Sequence, residues 1–154
     1  MGCDIHSHAE RKNESGAWEK ITDLEPFDWR SYGMFGFLSG VRNYSDVPPI
    51  AERRGVPTDA SREVAEDYES WDSDAHSASW LSVAELLAFN YDAPCENRRV
   101  MRKVGPNHYN GGCTCNPGEG EQTTFREFLG EGFFDELRKL QAAGAERVVF
   151  WFDN

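Results

Sequence analysis

The residues whose types and spacing best suit chemistry stand together in Asp4-Ile5-His6-Ser7-His8. Side chains alternate along an extended strand, so Asp4, His6 and His8 project to one face and Cys3, Ile5, Ser7 and Ala9 to the other. Imidazole and carboxylate together are ligands for zinc, manganese, iron or nickel, and an H-x-H pair on a strand puts both rings on one side. An ion held there acidifies water and polarises a substrate oxygen. The competing reading is a solvated strand face with incidental histidines, because a two-residue motif recurs by chance.

Two distant residues extend this set. His76 lies in 71–80, a polar connection between two predicted helices, where a side chain can enter a pocket or simply bond to backbone. Asp153 follows the apolar run 147–152. If that run is a strand beside the first, its carboxylate meets Asp4 and His6 at a sheet end; otherwise it is an exposed terminus. The expected metal ligands are therefore Asp4, His6, His8, His76 and Asp153, with Asp4, His6 and His76 as catalytic residues and zinc or manganese as cofactor.

A second cluster competes. Cys95, His108, Cys113 and Cys115 make a Cys₃His set that suits a structural zinc. The C-x-C step is shorter than the usual zinc spacing, so free thiols, or a disulfide from Cys95 to Cys113 or Cys115, stand against it. Cys3 faces away from His6 by strand parity, which disfavours Cys–His nucleophilic chemistry. The glycines of Tyr32-Gly33-Met34-Phe35-Gly36 match neither a dinucleotide fingerprint nor a Walker loop. Arg98-Arg99 with Arg102-Lys103 is the one basic run; it is a solvated face or a phosphate contact, with Trp18, Trp29, Trp71 and Trp80 as core or stacking residues.

These residues need elements to position them. Residues 3–22 read as a β-hairpin around the polar Asn13-Glu14-Ser15-Gly16, and 147–152 as a final strand. Helices are expected near 31–41, 59–71, 83–90 and 133–143, with another capped by Thr123 or Thr124. Ser82 with Glu85 is a capping-box signature, and the glycines at 33, 36 and 40 allow close packing. The stretch 92–122, rich in Pro and Gly, reads as a long irregular loop, tied by metal or disulfide. The fold class is α+β: a single domain over 1–154, with a small mixed sheet containing the N-terminal hairpin and the C-terminal strand. Four or five short helices pack on one side of it.

Composition bounds the function. With 16 Lys plus Arg against 27 Asp plus Glu, the net charge of −11 repels phosphate backbones and argues against non-specific nucleic-acid binding. Aromatics make up 13% of the chain, which argues for a packed core despite the acidity. No apolar run approaches the ~20 residues of a membrane span, and no signal pattern is evident. Met1-Gly2-Cys3 resembles a myristoylation start, but position 6 is His. A cytoplasmic protein is expected, with a small-molecule substrate or another protein as partner.

The segment Asp4-x-His6-x-His8 resembles the D-x-H-x-H opening strand of amidohydrolase and polymerase-histidinol-phosphatase type metallohydrolases. That likeness covers five residues. The usual barrel of ~250 residues exceeds this chain, so only the ligand logic is implied. Across more of the chain, Met1-Gly2-Cys3-Asp4-Ile5-His6, 35–43, 74–81 and 149–154 resemble a family of uncharacterised bacteriophage and prophage proteins. This implies phage origin and a host-cytoplasmic setting, without naming a reaction. The expectation is a metal-dependent hydrolase of a small phosphorylated or nucleotide-like substrate; the alternative is a non-catalytic phage accessory protein binding a host protein or a small signalling molecule.

Overall fold

The computed structural model describes residues 2–106 and 108–154, the side chains of 101–103 and 108–112 excepted. The run Arg147-Val148-Val149-Phe150-Trp151-Phe152-Asp153 explains the architecture. It is apolar at successive positions, so a strand made from it has two faces to bury. That strand, β8 (Arg147–Asp153), sits between β1 (Asp4–Lys12) and β3 (His76–Ser82), and β2 (Trp18–Lys20) flanks β1. Every pairing in this four-stranded sheet is antiparallel. The α+β class, the N-terminal hairpin and the C-terminal strand are as the sequence predicts.

One face of the sheet carries Ile5, Ala9, Leu81, Val148, Phe150 and Phe152. It packs against α1 (Tyr32–Ser39), α3 (Val83–Ala88), α4 (Phe125–Leu129) and α5 (Glu131–Ala142). Val149 and Trp151 face the other way and are covered by Val64, Tyr68 and Trp71, from α2 (Arg62–Ser70) and its C-cap. The helices therefore lie on both sides of the sheet and not on one, because β8 leaves neither face polar.

The helix starts follow capping chemistry. Ser31 accepts from the Met34 N–H, and Gly40 closes α1 at φ +68°. A Cβ at Gly36 would lie 2.6 Å from Asn43 Oδ1 and 3.2 Å from the Asn43 Cα, so the close packing expected of these glycines is present. The cap of α2 is Ser61, so the helix begins at Arg62 and not at the expected 59. Residues 57–60 are held in a turn by Ala60 N–H to Pro57 C=O, and the Asp59 carboxylate is spent on Arg147. At α3 the capping box is complete: Ser82 accepts from the Glu85 N–H and Glu85 from the Ser82 N–H. Ser82→Ala is expected to lower stability by about 1 kcal/mol, read as a shift of the urea midpoint at constant slope.

The stretch 92–122 is not an irregular loop. It holds two antiparallel ladders, β4 (Pro94–Asn97) with β7 (Glu121–Thr124) and β5 (Arg99–Gly105) with β6 (His108–Thr114). Strands β5 and β6 are neighbours in a hairpin, β4 and β7 pair across it, and Pro94, Gly105, Gly111 and Gly112 lie within strands. Among the described residues, no helix is long and apolar enough to cross a membrane.

Candidate functional site

The register between β1 and β8 sets the geometry of the histidine face. Asp4 is paired with Asp153, His6 with Trp151 and His8 with Val149, so Asp4, His6, His8 and Asp153 share one side of the sheet. The expected meeting of Asp153 with the first strand occurs. His6 Nε2 stands 3.5 Å from Asp153 Oδ1, and its ring lies 3.9 Å from that of Trp71. That nitrogen is buried without a hydrogen-bond partner.

The neighbours of His6 are committed elsewhere. Asp4 accepts from Arg30 Nε and Nη2 at 2.9 and 2.8 Å, and this guanidinium holds its carboxyl below the usual range. Both partners are half exposed, a setting in which ion pairs are readily exchanged. His8 is buried, with Nε2 2.6 Å from Asp67 Oδ2, so it ties β1 to α2. With a carboxylate as acceptor, Nε2 carries the hydrogen, which leaves Nδ1 buried and unpartnered. A cleft of about 70 Å³ beside these rings is lined in part by Glu25, Asp28 and Asp67.

His76 does not join them. It opens β3 opposite Phe152, and the register shifts between His76 and Ser79, where Ser77 takes a φ of +55°. This bulge turns His76 to the face that Phe152 occupies, away from His6. Its Nδ1 lies 2.9 Å from Ser77 Oγ, its ring stacks near Phe152 at 6.2 Å, and its Nε2 is buried without a partner. The polar turn expected at 71–80 is a short 3₁₀ segment, Asp72–Asp74, followed by this strand.

All four cysteines are free thiols. Cys3 lies in the core on the face away from His6, where burial raises its pKa. Cys95 is buried opposite Thr123 on β4, whereas Cys113 is exposed on β6, and the His108 side chain lies outside the described residues. Among the described residues, no three His, Cys, Asp or Glu side chains are gathered so as to hold a metal ion as they stand.

Two site residues carry no mark in the sequence, Arg30 and Asp67; the latter stands beside Trp71, already a core or stacking candidate. Asp67 and Trp71 are four apart at the end of α2 and thus neighbours on one helix face, which is the only signal that could have selected Asp67 from the acidic residues around it. No family model matches the chain, and neither a curated protein nor a solved structure does.

Proposed function

We propose that the protein is a metal-dependent hydrolase acting on a small phosphorylated or nucleotide-like substrate, with zinc or manganese held by Asp4, His6 and Asp153. The observation that supports this reading is the buried, unbonded Nε2 of His6, 3.5 Å from Asp153 Oδ1, with Asp4 the cross-strand partner of Asp153. One imidazole and two carboxylates suit a hard or borderline divalent ion, which supplies activation of water and polarisation of a phosphoryl oxygen. Asp4 joins the set by leaving Arg30, and the freed guanidinium then offers its paired N–H groups to a substrate phosphate. His8 fixes the strand against α2 through Asp67 and is outside the ligand set, as is His76 on the far face.

Metal titration by calorimetry tests this. Wild type is expected to take one equivalent of Zn²⁺ or Mn²⁺. His6→Ala should weaken binding by at least the ~10–100-fold typical of losing even an outer partner. Arg30→Ala, which releases Asp4, should tighten it. Turnover of p-nitrophenyl phosphate should require the metal and vanish in His6→Ala. Absence of stoichiometric metal in wild type, or equal binding in His6→Ala, would sink the proposal.

A further inference from the structure

The other end of the same sheet face carries a groove of about 440 Å³, within the range of small-molecule sites. Its lining alternates cation and indole. Lys12 Nζ lies 5.3 Å from the Trp18 ring centre, and the Arg147 guanidinium carbon lies 3.7 Å from Trp18 and 5.9 Å from Trp80. The Arg54 guanidinium carbon follows, 4.7 Å from Trp80. The sheet places this row: Lys12 is the cross-strand partner of Trp18, Trp80 pairs with Val149, and Ser82 with Arg147.

The two arginines are tied in place before any ligand arrives. Arg147 donates to Glu10 Oε1 at 2.7 Å and to Asp59 Oδ1 at 3.0 Å, and Arg54 makes a two-pronged contact to Glu85, both bonds 2.7 Å. Holding these side chains in one arrangement removes an ordering cost from binding. Lys12 differs from both arginines. Among the described residues its ammonium makes no ion pair, although its backbone N–H donates to Glu146 Oε2 at 2.6 Å. Asp59 accepts from Trp18 Nε1 at 3.1 Å as well as from Arg147, and it lines the groove as a further acceptor for an amino or hydroxyl group. Val56 and Pro57 add an apolar wall.

We infer that this groove binds a small organic phosphate carrying a flat ring, of mononucleotide size. The phosphate is met by Lys12 and by the Arg54 N–H groups not bonded to Glu85 or to the Trp80 carbonyl. The ring lies against the indole edges and the Val56–Pro57 wall, and Asp59 takes a donor from the ring or sugar. The site shares no residue with the histidine face, so it stands whether or not that face holds a metal.

Titration of AMP, GMP, CMP and UMP in buffer containing EDTA, followed by calorimetry, is the test. At least one nucleotide should bind with unit stoichiometry. Lys12→Met, a change at an exposed side chain, should weaken it roughly tenfold or more, the scale of one charge-assisted contact. Adenosine or the matching nucleoside, and inorganic phosphate, should each bind at least tenfold more weakly than the nucleotide. His6→Ala should bind as wild type does. The inference is overturned if none of the four nucleotides saturates, if Lys12→Met binds equally, if phosphate alone matches the nucleotide, or if His6→Ala loses the ligand.

Discussion

Replacing Arg147 with methionine is expected to destabilise the protein by about 3–5 kcal/mol, the cost of leaving its buried partner charged and alone. Glu10 is fully buried and Arg147 is 4% exposed. The Glu10 carboxylate accepts from Arg147 Nε on one oxygen and from the Ser61 N–H on the other, both at 2.7 Å. With the guanidinium gone, one oxygen faces the place of a lost donor. Urea denaturation followed by fluorescence measures the loss. Glu10→Met combined with Arg147→Met should recover a large part of it, since removing both charges also removes the desolvation that the pair offsets. If the double variant is no more stable than the single one, the pair is not what holds this end of the sheet. Arg147→Lys should recover little, because an ammonium cannot span Glu10 and Asp59 while lying flat on Trp18.

Phe37→Ala is expected to cost a comparable 3–5 kcal/mol, by about the usual scale for deleting a buried ring, but for a different reason. Its side chain is fully buried, with ring centres of Phe89, Tyr91, Phe125 and Phe133 at 5.0, 5.9, 5.7 and 5.8 Å. Those partners come from three separate stretches of chain, 89–91, α4 and α5, so the void opens where α1, α4 and α5 meet and no single element can move to fill it. Tyr91 cannot turn inward without giving up its bond to the Leu86 carbonyl at 2.5 Å. Phe37→Leu should lose markedly less. Equal losses for the alanine and leucine variants would show that ring contacts, and not volume, dominate there.

The sequence shows the parity of the first strand, because alternation is a local property: Asp4, His6 and His8 share a face for the reason that any period-two pattern does. The neighbouring position of Asp153 is also legible, since two strong strand patterns in one domain tend to share a sheet. His76 is not. A bulge at Ser77 reverses its side, and the residues His76-Ser77-Ala78-Ser79 carry no pattern that announces an unpaired position. The β4–β7 ladder is illegible for a related reason. Strand β4 finds its partner some twenty-five residues later, and the intervening Pro and Gly dominate any local reading. Arg30 and Asp67 are illegible in the sequence because surface charges become site residues only once the fold has chosen their neighbours. Helix cover on both faces was implicit in the unbroken apolar run of β8, a pattern that speaks of burial on two sides more than of strand parity.

The central place of β8 bears on how the chain comes off the ribosome. Synthesis proceeds at roughly 5–20 residues per second, and β1 and β3 are both made before the strand that joins them. Until residues 147–153 appear, β1 has only its short pairing with β2, and β3 has no strand beside it within this sheet. The nascent chain therefore holds two unfinished edges and the apolar side chains of both faces in waiting. Closure of the sheet is a late, long-range event, of the kind that makes folding slow. A chain stopped before residue 147 would be left with two disconnected fragments of sheet, not a smaller version of the same fold.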